Sequence, residues 1–266
     1  MARRASAKRN HKRRNLDIDN CFEEGVSRRK KSNRNGSTVI DFNGQSQQTE
    51  FNPPPARFRQ SLQAKNSAQK RYINAIRNHC LTLGLGPAGT GKSYCAAVLA
   101  AEALEAGETD RIILTRPAVE AGEQLGFLPG ALDDKYAVYI DAFRDILNTR
   151  LGASTVKYCL RHGKIVAAPL AYMRGKTFQE RNFVILDEAQ NCSIAQMKMF
   201  LTRIGEDCKV VINGDINQSD IRGPNGLEDA LDKLTGLPDV VIHQFERRDI
   251  VRSGLVKAII DRYEPQ

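Results

Sequence analysis

The stretch Cys80-Leu-Thr-Leu-Gly-Leu-Gly-Pro-Ala-Gly-Thr-Gly-Lys-Ser-Tyr-Cys95 decides the fold. A short apolar run, Leu81, Leu83 and Leu85, enters a glycine-rich loop, and an alanine-rich run from Cys95 to Ala106 leaves it with helical character. Gly86, Gly91, Lys92 and Ser93 fit the pattern G-x-x-x-x-G-K-[ST] at every fixed position. The spacing has a physical reason. Across Gly86, Pro87, Ala88, Gly89, Thr90 and Gly91 the glycines let the backbone turn, so that successive N–H groups cradle phosphates. The helix N-terminus adds its positive end. Lys92 can bridge the β- and γ-phosphates, and the Ser93 hydroxyl can take a Mg²⁺ coordination position. A glycine-rich turn that merely starts a helix is the bland alternative. The placement between a strand-like run and a helical run argues for a nucleotide-binding loop instead.

Downstream, Phe183-Val-Ile-Leu186 runs into Asp187-Glu188-Ala-Gln-Asn191. Four apolar residues followed by adjacent carboxylates predict a buried parallel strand that delivers Asp187 to its C-terminal edge, facing the loop. Asp187 can hold Mg²⁺ through water, and Glu188 can orient and deprotonate an attacking water. A strand-end acidic pair favoured by a helix dipole is the simpler reading, and the upstream loop weighs against it. Lys209-Val-Val-Ile-Asn213 repeats the arrangement, ending in Gly214-Asp-Ile-Asn-Gln218. There Gln218 can donate to a γ-phosphate and report its hydrolysis; taken alone, the segment would be a plain polar turn.

The remaining chain supplies alternating helices and strands. A helix is expected over Ser67–His79 with Tyr72, Ile73 and Ile76 on one face, a strand over Arg111–Thr115, and a helix over Tyr136–Leu151. Strands over Lys164–Ala168 and Val240–His243, and helices over Asn225–Leu234 and Val251–Tyr263, complete the pattern. Residues 118–133 form a Gly/Pro-containing loop too long for a mere connector. Asn66 and Gln69 stand at the start of the first helix, and a Gln amide matches the donor–acceptor edge of adenine. By themselves they read as a cap and a surface amide. Strands alternating with helices predict an α/β fold with a mostly parallel sheet, helices on both faces and ligand at the strands' carboxyl ends.

Charge divides the chain. Residues 1–70 hold 16 Lys+Arg against 6 Asp+Glu, a net of +10, while the remaining 24 and 25 leave residues 71–266 at −1. The basic clusters Arg3-Arg4, Lys12-Arg13-Arg14 and Arg28-Arg29-Lys30-Lys31 lie among Asn, Ser and Gly, and Pro53-Pro54-Pro55 forms a stiff break. Residues 1–60 are therefore expected to be a largely disordered basic arm, and 61–266 the folded domain. Val39-Ile-Asp-Phe42 within the arm has the composition of a short strand. The arm is either an electrostatic contact for nucleic acid or a solvated tail. Six scattered cysteines without a C-x-x-C pair argue against zinc and for reduced thiols. With no apolar leader and no long apolar run, the expected compartment is a reducing cytoplasm, with no membrane contact.

Six blocks in order carry a more specific likeness: 86–93, Leu114-Thr-Arg-Pro-Ala118, Gly126-Phe-Leu-Pro-Gly130, Pro169-Leu-Ala-Tyr-Met-Arg-Gly-Lys-Thr177, Ile185-Leu-Asp-Glu-Ala-Gln-Asn191 and Gly214-Asp-Ile-Asn-Gln218. Together they resemble the PhoH-like family, whose members carry the ATPase core of superfamily 1 helicases. The resemblance runs from about Asn66 to Arg262. It implies a RecA-like P-loop NTPase, with Gln69 reading adenine, Lys92 and Ser93 as the Walker A pair, Asp187 and Glu188 as the Walker B pair and Gln218 as the γ-phosphate sensor. Arg116 and Arg174 fall in blocks that face either nucleic acid or nucleotide. Arg248-Asp-Ile-Val-Arg252 resembles the family's terminal arginine block, which makes Arg252 a candidate arginine finger. After Gln218 the family commonly has Asp-Leu-Pro where this chain has Asp220-Ile221-Arg222, which leaves the local loop geometry open.

The expected function is Mg²⁺-dependent ATP hydrolysis coupled to RNA or single-stranded DNA, as translocase or helicase, in the cytoplasm of a bacterium or a phage-infected host. Helicases of this superfamily use two cores with ATP between them, and the residues after the arm provide for one. A closed ring, of six subunits by analogy with the family, would supply Arg252 or Arg248 in trans. The alternative is a nucleic-acid-binding module switched by ATP without motor activity. A phosphotransferase using the same loop is the weaker third reading.

Overall fold

The computed structural model describes residues 37–40, 46–49, 61–117, 132–175, 177–179, 181–221 and 223–252, together with 254, 256 and 262. Two compact units are distinguished, Met1–Pro55 and Ala56–Gln266. In the first, β1 (Ser37–Ile40) and β2 (Ser46–Thr49) form an antiparallel hairpin with Ser37 opposite Thr49. The strand expected at Val39–Phe42 thus begins two residues earlier, and its last two residues lie outside the described ones. So do the basic clusters of residues 1–36 and the expected loop through residue 131.

The second unit is built on a six-stranded sheet. Its strands are β3 (Leu81–Leu85), β4 (Arg111–Arg116), β5 (Ile165–Pro169), β6 (Asn182–Leu186), β7 (Lys209–Gly214) and β8 (Val240–Gln244). Their order is β5-β4-β6-β7-β3-β8, and every neighbouring pair is parallel. Parallel strands require crossovers, and the helices that make them cover both faces. That is why β3 and β6 are buried at every residue.

Side chains alternate between two cores. Ile112, Leu114, Phe183 and Ile185 point to one face, where they meet α1 (Ser67–Asn78), α2 (Lys92–Glu105), α3 (Leu132–Leu151) and α4 (Ala153–Arg161). Ile113, Val184, Leu186, Val210 and Ile212 point to the other, against α5 (Ile194–Leu201) and α6 (Gly226–Leu234). The strand period of two therefore feeds both layers. In α2, Cys95 through Ala101 are all buried, so small side chains let this helix lie close against the sheet.

Neither α4 nor α5 figures in the expected pattern. Of the expected final helix, Val251 and Arg252 are non-helical, residues 254, 256 and 262 are helical, and the rest lie outside the described residues. No described helix is long and apolar enough to cross a membrane.

Candidate functional site

The motif-bearing turns among the described residues gather at the carboxyl edge of the sheet. The loop after β3 is fixed to the next strand by Gly86 N–H donating to Gly214 O at 3.1 Å. It closes on itself where Thr90 Oγ1 donates to Pro87 O at 3.1 Å, and Cys95 N–H to Gly91 O at 2.9 Å begins the ladder of α2. Gly91 has a left-handed backbone, φ 91°, and a Cβ there would stand 2.7 Å from Gln69 Nε2. Only glycine meets both demands. Lys92 turns back on the loop, donating from Nζ to Gly86 O at 2.5 Å and Pro87 O at 2.9 Å. Burial pushes its ammonium below the usual value, while Asp215, Asp187 and Glu188 pull it back up.

Ser93, the next residue, donates from Oγ to Asp187 Oδ1 at 2.7 Å. Asp187 is buried at the end of β6, and its second oxygen accepts from Arg116 Nη2 at 2.6 Å. Arg116 is thereby held at the carboxylate that ends β6. Arg174 is exposed at the end of the short turn Leu170–Met173 that follows β5. The pairing of a hydroxyl with a carboxylate gives the hard oxygen donors that Mg²⁺ prefers. Among the described residues no group of three or more His, Cys, Asp or Glu could hold a metal, so a cation here would also need phosphate oxygens or water.

Glu188 is exposed and takes a left-handed backbone at φ 55°. This uncommon conformation for a non-glycine residue turns the chain sharply beyond the strand. Gln190 Nε2 donates to Glu188 Oε2 at 2.8 Å, and Gln190 Oε1 accepts from Asp215 N–H at 3.1 Å. Asn191 and Asp220 exchange a reciprocal pair, Nδ2 to Oδ2 at 3.0 Å and Asp220 N–H to Asn191 Oδ1 at 2.8 Å. Ser219 Oγ adds a bond to Gln190 O at 3.1 Å. The turns after β6 and β7 are thereby stitched together, and Asp220 serves as one of the stitches despite the departure from the family pattern. Gln218 ends the turn Ile216–Gln218 and is exposed.

Gln69 is buried against the loop. Its Nε2 donates to Thr90 O at 2.9 Å, and its Oε1 accepts from Lys65 N–H at 2.9 Å. Asn66 caps α1 through Oδ1 and donates from Nδ2 to Asp249 O at 3.0 Å. Val251 N–H donates to Gly89 O at 2.9 Å. This strap brings Arg252 onto its own loop, where a Cβ at Gly89 would stand 2.9 Å from Arg252 Nε. The side chain that was expected to act on a neighbouring subunit thus rests on the phosphate loop of the same chain. Arg248 is exposed and pairs with Glu246 at 3.0 Å.

Gln190, Asn191 and the Arg116–Asp187 pair are contributions that motif spacing did not announce. The polar run Gln190-Asn191 directly after the acidic pair was the available signal.

Comparison with known proteins fits this arrangement. A family model described as PhoH-like protein matches residues 61–264. A PhoH-like protein of Bacillus subtilis is 47% identical over 208 residues, 77% of this chain and 65% of its own length. Protein PhoH of Escherichia coli is 50% identical over 204 residues, 75% of this chain and 57% of its own. The chain thus spans about six-tenths of the length of these relatives. A solved structure, the Pif1 helicase from Candida albicans, shares 13% identity at a TM-score of 0.36, covering 71% of this chain and 42% of that one. On the family match and the motifs gathered at one sheet edge, the chain belongs to the PhoH-like protein family.

Proposed function

We propose that this chain hydrolyses ATP with Mg²⁺ and couples hydrolysis to RNA or single-stranded DNA, as a translocase or helicase working in a ring of six identical subunits. The observation that carries the reading is the 2.7 Å bond from Ser93 Oγ to Asp187 Oδ1. It brings the loop hydroxyl and the strand-end carboxylate to one point beside Lys92. Ser93 and Asp187 are the residues that would hold Mg²⁺, whose chemistry is to neutralise charge on the β- and γ-phosphate oxygens.

The protein's own groups supply the rest. Lys92 exchanges the carbonyls of Gly86 and Pro87 for phosphate oxygens, which are stronger acceptors for an ammonium. Glu188 stands exposed to water with its carboxylate oriented by Gln190, and acts as base toward a water in line with the γ-phosphate. Gln218 senses that phosphate from the neighbouring turn. Gln69 fixes the loop through Thr90 and presents its amide to the base when nucleotide is bound. Arg252 contacts the phosphates in cis, and exposed Arg248 is the group available to a neighbouring subunit.

Support for a nucleic-acid partner is the net charge of +10 over residues 1–70. Support for a reducing cytoplasm comes from the free thiols among the described residues, with burial pushing Cys95 to about 11 and Cys192 and Cys208 to about 12. Phosphate release measured with and without single-stranded RNA and DNA, beside sedimentation for size, tests the reading. Turnover stimulated by nucleic acid is the expected result. Binding of both ligands without stimulated turnover would replace the motor with an ATP-switched binding module, and absence of hydrolysis would overturn the proposal.

A further inference from the structure

Asp187 carries a negative charge into the protein interior, its side chain only 4% exposed. An ionised carboxylate at such a depth needs a compensating cation in every state of the site. Ser93 offers one neutral donor, to Oδ1. Beside the nearby Lys92 ammonium, the cation in direct contact is Arg116, whose Nη2 reaches Oδ2 at 2.6 Å.

The details of that pair are those of a replaceable partner. A structural arginine–carboxylate pair is commonly a two-pronged fork. Here one guanidinium nitrogen makes the contact, and Arg116 Nε is buried without a hydrogen-bond partner. The neighbouring Thr115 Oγ1 is likewise buried and unpartnered. Two polar atoms at the end of β4 thus have hydrogen-bonding capacity to spare. While paired with Asp187 the guanidinium already lies over the Phe143 ring on α3, its carbon 5.5 Å from the ring centre. A cation–π contact there can hold the charge when the carboxylate is taken.

We propose that Arg116 is the resident counter-ion of Asp187 in the nucleotide-free protein, and that a divalent cation displaces it. This rests on the reading of Ser93 and Asp187 as the metal-holding pair. Arg116 and Lys92 are then two internal cations with parallel histories. One is folded onto the carboxylate and the other onto the loop carbonyls, and arrival of the nucleotide–metal complex frees both. Because Phe143 belongs to α3, the exchange also changes what holds that helix against the site, which ties occupancy of the metal position to the packing of α3.

The test uses the full chain and magnesium chloride alone, followed by magnesium with a fluorescent ADP. For the unaltered protein, thermal unfolding without nucleotide is expected to be the same in chelator and in millimolar Mg²⁺. Arg116→Ala is expected to lower the midpoint in chelator by roughly 5–10 °C, and Mg²⁺ alone should recover most of the loss. A second substitution, Asp187→Asn, in the same chain should abolish the recovery. Arg116→Lys should fall between the two. In the ADP titration, removing the competitor should lower the Mg²⁺ concentration for half-maximal binding by about tenfold. If Arg116→Ala fails to fold, Arg116→Lys is read in the same titration, where a half-maximal concentration equal to that of the unaltered protein overturns the proposal. A midpoint loss that Mg²⁺ does not touch, or equal stabilisation of the unaltered protein by Mg²⁺ alone, also overturns it. Failure of every form to bind ADP would overturn the ATPase reading instead, and the nucleotide-free melting series would still decide the role of Arg116.

Discussion

Gln190 joins Glu188 to the turn beyond β7, donating to Glu188 Oε2 at 2.8 Å and accepting from Asp215 N–H at 3.1 Å. Gln190 itself is 2% exposed, and its bond to Asp215 is buried, while the one to the exposed Glu188 is only partly so. Gln190→Ala should therefore release the carboxylate without touching the phosphate loop. The expected outcome is a fall in kcat of about tenfold or more with KM for ATP little changed. Steady-state kinetics beside an ATP-binding measurement checks the split, and a matching loss of affinity would show that Gln190 holds the fold and not the base.

The loop lysine and the exposed glutamate should separate cleanly. Lys92→Ala removes the loop's ammonium and is expected to abolish hydrolysis and weaken nucleotide binding. Glu188→Gln keeps the shape and the hydrogen bond, so ATP should bind while turnover falls by roughly 10²–10⁴. Near-normal turnover of Glu188→Gln would remove Glu188 from the role of base.

Arg252 lies on Gly89 of its own chain, and that position makes a prediction about mixed subunits. When Lys92→Ala and Arg252→Ala proteins are combined, an arginine acting across subunits would restore part of the activity. With Arg252 serving its own loop, no site in the mixture is complete, and no recovery is expected. Recovery above the sum of the separate proteins would return Arg252 to the neighbouring site.

His243 gives the stability a dependence on pH. It is buried on β8, stacked on Tyr72 at 5.6 Å and edge-on to Phe245 at 4.6 Å, with Nε2 unpartnered. Burial, aided by Arg71 and opposed by Asp249, lowers its pKa from the ordinary 6.5. The unfolded chain thus takes up the proton first as pH falls, and the native state loses stability from about pH 6.5 downward. Thermal midpoints should decline as buffers pass from about pH 7.5 to about pH 5.5, and His243→Phe should flatten that decline. An unchanged slope would assign the acid sensitivity to other groups.

The basic N-terminal residues have their own test. Deleting residues 1–60 should weaken binding to single-stranded RNA or DNA by roughly tenfold or more at moderate salt and reduce the steepness of its salt dependence. Equal affinities with and without the arm would reduce it to solvated chain.

Much of the fold was legible because buried parallel strands are short apolar runs, and Leu81–Leu85, Arg111–Arg116 and Asn182–Leu186 each stop at a motif residue. Two helices were not. α4 (Ala153–Arg161) buries only Val156 and Cys159 and follows α3 after the single residue Gly152, so its pattern merges with the longer helix. α5 did carry a readable start, since Ser193 and Gln196 form a reciprocal capping box. At the site, local spacing pointed to Lys92, Ser93 and Asp187. The partners that orient them were hidden because Arg116 and Asp187, or Asn191 and Asp220, are brought together by strand order, and no periodicity along the chain records such a meeting.

The position of β3 between β7 and β8 has a consequence for the order of events during synthesis. Both neighbours are made more than a hundred residues after the phosphate loop, and the strap at Asp249–Val251 later still. A nascent chain that has emerged only as far as Thr235 holds every loop residue, yet it lacks one flanking strand and the backbone that fastens Gly89. Such distant pairings close late because the entropy of a long loop must be overcome first. Competence to hold nucleotide is accordingly among the last properties the growing polypeptide acquires, and a ribosome-bound fragment with an intact glycine-rich motif should be empty.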